Sequence, residues 1–381
     1  MALTGRLTLI LAVVLWVASL AGTLAVWTRV SGRVRWVWRG LLLAVCQFTA
    51  VALVAVLIND ANTFYTSWAE LLGEHHKVTA TAATPGAQDA SLASKLHAAG
   101  AHGHGIVVPV HIPGTTSQLP AFRGYVYLPP QYGLSSFATR DFPVLELLAG
   151  SPGTPKTWLQ GMHVASILDN EINSGRSEPF VAVIPDVDVA GGRDSECLNI
   201  AHGPQVETYL TTDVRAMMTT QFRVSTDRAA WSLMGYSSGG YCAINLAMRN
   251  PNLFTAGVSI AGYDRPYQDH QTGNLFGKDT HLRDLNTPIW RATHLPQPDI
   301  ALLLLSTTED VGTSRASTEL AAAARPPMEI TRISLRHGGH NFEVWRAELP
   351  VALAWLSRHI SPPLAPAPII DGIPPVTTPS N

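Results

Sequence analysis

The stretch WSLMGYSSGGYCAINLAMRNP, residues 231–251, decides how this chain is read. It opens on an apolar run that ends at Met234, as a buried strand would. Beyond Gly240 the apolar residues recur at helical spacing. Between the two sits Gly235-Tyr236-Ser237-Ser238-Gly239, a G-x-S-x-G pentad. A tight strand-to-helix turn pushes the middle serine's oxygen clear of the backbone, and its neighbours must be small to permit it. The N-terminus of the following helix favours negative charge. The pattern nominates Ser237 as a nucleophile. The competing reading is a Gly-Ser loop without chemistry, and the rest of the chain decides between them.

A serine hydroxyl is a poor nucleophile without a base. RHGGHNFEVW, residues 336–345, supplies His340 after a strand and at the start of a helix, with His337 as the second candidate. The order serine, acid, histidine fits this layout. The histidine needs a carboxylate to orient it. IALLLLSTTEDVG, residues 300–312, offers Asp310, with Glu309 beside it; Asp264 in SIAGYDRP is a third choice. Aspartate is favoured because a short side chain loses less freedom when held. Developing oxyanion charge needs donors. The Ser238 amide is one, and the role read for this residue uses its amide alone. ELLAGSPGTPKTW, residues 146–158, supplies the Ser151 amide as the other, since Pro152 has no N–H.

Strand-like runs surround the pentad: IVVPVHI, GYVYLPP, PVLELLAG, PFVAVIPD, AGVSIAG, IALLLLST and EITRISL. Several are continuous β-branched or leucine runs, as expected of strands covered on both faces. Helical periodicity falls between them in VETYLTTDVRAMMTTQF, STELAAAA and NFEVWRAELPVALAWLSRH. This alternation predicts an α/β fold with a mostly parallel sheet. The connection from Gly262 to Asp299 is long, and long loops often carry specificity.

Charged residues make up 14% of the 381, low against an average of about 25%. Two uncharged runs near the start account for the deficit, Thr8–Trp27 and Gly40–Ile58. Each is long enough to cross a bilayer core. Arg29, Arg33, Arg35 and Arg39 lie between them, which assigns that loop to the cytoplasm and all that follows Ile58 to the exterior. The expected organisation is a two-span anchor over 1–60, a juxtamembrane segment with a short helix and a flexible linker with a helical patch over 61–105, a folded domain over 106–360, and a proline-rich disordered tail over 361–381. His102 and His104 in the linker are too few and too loosely held to make a metal site. No cofactor is expected, and a net charge of −2 gives no reason to expect nucleic acid. Cys197 and Cys242 both lie in the exterior domain, where a disulfide between them is chemically allowed.

LLAGSPGTPKTWL, RDSECLN, ETYLTTDV, GYSSGGYCA and GGHNFEVW together resemble the putative-esterase family of α/β-hydrolases. That family includes esterase-D-like enzymes, enterochelin esterases and secreted mycolyltransferases. The likeness spans about Val107 to His359, and SECLN with GGYCA is similar to actinobacterial members. It implies the α/β-hydrolase fold and ester hydrolysis or acyl transfer by a Ser–acid–His triad, with an ester as substrate, lipid and glycolipid among the candidates. Many relatives carry a glycine before the acid, where this chain reads STTED, so the resemblance leaves the acid open. The second function considered is a catalytically inactive domain that binds envelope glycolipid or a partner protein. The arginine loop makes the topology testable: a reporter fused after Ile360 is expected to be active only when exported, and strong cytoplasmic reporter activity would contradict the orientation.

Overall fold

The computed structural model describes residues 6–62 and 90–363. The predicted juxtamembrane helix beyond Asn62 and most of the proline-rich tail lie outside the described residues. Two helices begin the chain, α1 (Arg6–Trp27) and α2 (Arg35–Asn62). Leu7–Trp27 and Arg35–Asn59 are long and apolar enough to cross a membrane, with mean hydropathies of 2.5 and 2.7. The helices touch through polar groups. Ser19 Oγ lies 2.8 Å from Thr49 Oγ1, and the Arg39 guanidinium donates to the Trp27 carbonyl at 3.1 Å.

Residues read from sequence as flexible linker include a 12-residue helix, α3 (Ala90–Ala101). It docks on the folded domain through Leu92 and Leu96, one turn apart. Small residues allow the close approach: a Cβ at Gly133 would stand 2.3 Å from the Leu96 carbonyl oxygen. Within the helix, a Cβ at Gly100 would likewise stand 2.4 Å from the Pro130 carbonyl oxygen.

The domain is built on one eight-stranded sheet in the order β1-β2-β4-β3-β5-β6-β7-β8. The strands are β1 (Ile106–Gly114), β2 (Leu119–Leu128), β3 (Val144–Leu148), β4 (Val181–Ile184), β5 (Trp231–Tyr236), β6 (Ala256–Ile260), β7 (Ala301–Thr307) and β8 (Glu329–Leu335). β1 and β2 pair antiparallel, and β2 joins β4 antiparallel. β4, β3, β5, β6, β7 and β8 are mutually parallel. β3 through β7 are buried almost throughout, so they read as unbroken apolar runs rather than alternating ones.

Helices cover both faces. α4 (Pro155–Gln160) and α5 (Val164–Asn173) lie on one. The opposite face takes α6 (Val214–Gln221), α7 (Ser238–Arg249) and α8 (Val311–Ala323), and α9 (Phe342–Leu356) returns to the first. Trp158, Leu168, Leu349 and Leu353 fill one core with Leu145, Leu147 and Leu303. Met218, Ile244, Leu246 and Leu320 fill the other with Leu148, Leu233 and Leu302. The helix predicted from STELAAAA begins six residues earlier, at Val311, directly after Asp310. Its first two turns carry serine, threonine and glycine, so apolar periodicity is visible only in its second half.

The long connection after β6 folds back over the loop that follows β4. Leu275 and Phe276 pack on Leu198 and Ile200. Cys197 in that loop is bonded to Cys242 in the second turn of α7, with Cα atoms 5.7 Å apart and a sequence separation of 45. The bridge ties the β4 loop to the helix that starts at the pentad. Replacing both cysteines by serine is expected to lower unfolding stability by roughly 2–4 kcal/mol. Denaturant unfolding under non-reducing conditions measures it, and an unchanged midpoint would show that the bridge carries no constraint.

Candidate active site

The pentad forms the turn between β5 and α7. Ser237 has φ 55° and ψ −125°, a conformation that L-residues rarely adopt. The chain holds it there because β5 and α7 cross with no spare room. A Cβ at Gly235 would fall 1.9 Å from the Gly239 carbonyl oxygen, and one at Gly239 would fall 2.2 Å from the Leu148 carbonyl oxygen. Only glycine fits either position. The Ser237 amide donates to the Ile260 carbonyl at 2.9 Å, and its own carbonyl accepts from Gly240 and Tyr241. The backbone is therefore fixed on both sides of the half-buried side chain.

His340 comes from the loop after β8, just before α9, whose first turn Asn341 caps by accepting from the Val344 amide. Its Nε2 lies 2.8 Å from Ser237 Oγ, and its Nδ1 lies 2.7 Å from Asp310 Oδ2. Asp310 stands at the junction of β7 and α8. An ionised carboxylate only accepts, so Nδ1 carries the proton and Nε2 is the acceptor for the serine hydroxyl. Burial by itself would raise the Asp310 carboxyl, but hydrogen bonds from His340 and Thr313 outweigh it and hold the group below the usual range.

The other nominated groups lie elsewhere. Glu309, the alternative acid, accepts from His337 Nδ1 at 2.9 Å and from the Gly338 amide at 2.8 Å. These bonds hold its carboxyl below its ordinary range. The Thr307 hydroxyl adds a bond to the Gly338 carbonyl. Glu309 and His337 thus clasp the acid loop to the histidine loop, leaving Asp310 and His340 to meet each other. Asp264 is buried and turned onto the Arg265 guanidinium at 2.8 Å. His104 sits 3.5 Å from Asp169, while His102 contacts the Ala98 carbonyl at 2.8 Å.

The Ser151 amide, nominated as an oxyanion donor, is engaged: it donates to Ser238 Oγ at 2.7 Å. Reading Ser238 as an amide alone was therefore incomplete, because its side chain has a partner 87 residues away. The signal for this contact was two serines at facing turns, but nothing in the sequence fixes how closely the turns approach. The Ser238 amide itself begins α7 and is one of the donors a helix leaves without an internal partner. Beside the two serines opens a small cleft walled by Asp188, Asp194 and the Cys197–Cys242 bridge. Burial raises the Asp194 carboxyl, against hydrogen bonds from the Glu196 amide and from Ser151 that lower it.

Aromatic rings floor the histidine. Tyr236 stacks on Trp345 with centroids 5.0 Å apart, and Trp345 meets the His340 ring edge-on at 4.8 Å. One turn along α9 from Trp345 lies Glu348, 3% exposed, with neither carboxylate oxygen hydrogen-bonded among the described residues. Burial first, then the nearby charge of Asp310, pushes its carboxyl up to about 7. Sequence reasoning did not single it out, because it reads as an ordinary helix-surface glutamate. A carboxyl raised in the fold favours folding below its unfolded value near 4.5, and that contribution is lost as pH rises through about 7. Between pH 5 and pH 8 the melting temperature of the wild-type chain is therefore expected to fall more than that of Glu348→Gln. Parallel curves for the two would contradict this placement of the carboxyl.

Residues 121–356 match the model of the family described as putative esterase. The chain is 26% identical over 269 residues to an uncharacterized protein of Corynebacterium glutamicum, covering 67% of this chain and spanning 62% of that relative's length. Among solved structures it is similar to a ferulic acid esterase, with a TM-score of 0.57 at 20% identity, covering 68% of this chain and 99% of the other. It is also similar to an S-formylglutathione hydrolase of Agrobacterium tumefaciens, with a TM-score of 0.57 at 16% identity, covering 68% and 96%. A fluorophosphonate-binding serine hydrolase of Staphylococcus aureus gives a TM-score of 0.55 at 16% identity, covering 67% and 99%. At these identities the solved structures speak for the fold, whereas the family model matches more than half of the chain: the protein belongs to the putative-esterase family of α/β-hydrolases.

Proposed function

We propose that this chain is a membrane-anchored serine esterase that cleaves carboxylic esters outside the cytoplasmic membrane. The observation that carries the reading is the relay from Ser237 Oγ through His340 to Asp310, with contacts of 2.8 and 2.7 Å. Ser237 attacks the ester carbonyl while His340 Nε2 takes its proton. Asp310 keeps the imidazole in the required tautomer and stabilises the imidazolium that forms. The carbonyl oxygen gains negative charge at the α7 N-terminus, where the Ser238 amide donates. The tetrahedral species collapses, His340 returns the proton to the leaving alcohol, and Ser237 keeps the acyl group. A water activated by the same histidine then releases the acid.

Two further observations support the exterior placement. Four arginines lie in the short loop between the two apolar helices, and the domain holds a disulfide, which persists in oxidising compartments. The names of the similar structures, a ferulic acid esterase and an S-formylglutathione hydrolase, agree with an ester or thioester carbonyl as the reacting group.

The test is turnover of p-nitrophenyl acetate by the full chain in detergent, with melting temperature as the folding control. Ser237→Ala is expected to lose several orders of magnitude in kcat, by analogy with other triad knockouts. Asp310→Asn should lose about 10⁴-fold, the scale for a neutralised triad aspartate. Asp264→Asn should stay within a few-fold of wild type. An Asp310→Asn enzyme near wild type would refute the assignment of the acid.

A further inference from the structure

We infer that the Ser238 hydroxyl is an oxyanion donor, passing the Ser151 N–H on to the substrate's carbonyl oxygen through its own O–H. This rests on the ester-cleaving reading of the site and adds a catalytic residue to it. The Ser151 amide points at Ser238 Oγ, 2.7 Å away. That bond uses one of the hydroxyl's two acceptor positions and none of its donor capacity. No acceptor takes the Ser238 O–H among the described residues, so its proton is free to turn toward a charge that forms beside Ser237.

The surroundings hold this arrangement in place. The loop carrying Ser151 is pressed against the nucleophile: a Cβ at Gly150 would stand 2.8 Å from Ser237 Cβ and 2.8 Å from the Tyr236 carbonyl oxygen. Ser151 and Asp194 line the same cleft beside the Cys197–Cys242 bridge. Ser238 is buried, 8% exposed.

Two arrangements of an oxyanion site are compatible with a Ser151 amide near Ser237. In one, the amide points directly at the oxyanion, and the hydroxyl is a plug that must first be displaced. In the other, the amide bonds to the hydroxyl throughout, and the hydroxyl faces the oxyanion. A plug requires a well-formed bond to break in each turnover. A relay requires only rotation of one O–H, and each bond in the chain polarises the next in a water-poor site. Donors that need no reorganisation stabilise a developing charge best. The 2.7 Å contact is the resting state of either arrangement, and the relay is the one that breaks no bond during turnover.

The experiment uses the full chain in detergent with p-nitrophenyl acetate as substrate and phenylboronic acid as the reversible probe, which forms a tetrahedral adduct on an active serine. Ser238→Ala, Ser238→Gly and Ser238→Thr are compared, with melting temperature recorded for each. The relay predicts that Ala and Gly lower kcat by about 10²–10³-fold, the cost of one lost oxyanion donor. KM should stay within about threefold, boronate affinity should fall in step with kcat/KM, and Thr should recover most of the rate because it keeps the hydroxyl. Ala and Gly variants as fast as wild type, or faster, would overturn the relay, and a faster enzyme would identify the hydroxyl as a plug. A Thr variant as slow as Ala at an unchanged melting temperature would also overturn it. A wild-type chain that neither turns over the ester nor binds the boronate would overturn the parent reading instead, whereas activity lost with Ser237→Ala but indifferent to Ser238 would sink the relay alone.

Discussion

The close crossing of β5 and α7 is the constraint on which the site depends. Gly235 and Gly239 approach each other with no space for a side chain on either, and that contact forces Ser237 into its unusual backbone conformation. Such strain costs on the order of 1–3 kcal/mol and persists only where the surroundings over-determine it. Here they do. β5 lies at the centre of the sheet between β3 and β6, buried at every residue, and the first eleven residues of α7 are buried as well. The most heavily packed part of the domain thus holds the single residue whose side chain it must leave free. The same crossing brings the β3 loop to the serine, because Gly239 rests on the Leu148 carbonyl.

A second constraint sorts the charges. Two carboxylates follow β7 in succession, and two histidines follow β8 three residues apart. Four pairings are conceivable, and the fold realises one set: Glu309 with His337, Asp310 with His340. The longer acid reaches across to the exposed histidine and to the Gly338 amide, which closes the two loops on each other. The shorter acid remains under the imidazole at the root of α8. Trp345 then limits the ring from below, and Tyr236 carries that packing back to the pentad. The histidine is held by an aromatic floor as much as by its carboxylate.

Much of this was legible in the chain. Strands covered on both faces leave continuous apolar runs, so β3 through β7 could be read directly, and glycines at fixed offsets around Ser237 carry the turn's steric requirement in plain letters. His340 stood out because two glycines precede it and a helix follows. Asp310 was favoured over Glu309 and Asp264 by its position and short side chain, but which side chain points inward from a turn is not written in the sequence. Asp264 is withdrawn by Arg265, its own chain neighbour, which periodicity does not reveal. A helical patch in the linker was legible, but the docking of α3 on the domain was hidden by its small residues. The contact between Ser151 and Ser238 was hidden too, because it is set by how two loops 87 residues apart are pressed together. Local pattern speaks for elements and turns; distances across the site belong to the tertiary packing.

The central claim is that Ser237 forms the covalent bond with substrate, with its backbone held by the β5–α7 crossing and its proton taken by His340. Acid-quenched mixtures of the full chain and p-nitrophenyl acetate, digested and mapped by mass spectrometry, address it most directly. The account predicts one acetyl group per chain, located on Ser237 and accumulating in a burst before steady turnover. Acetyl groups confined to Ser238 or another residue, or turnover without any adduct, would contradict it.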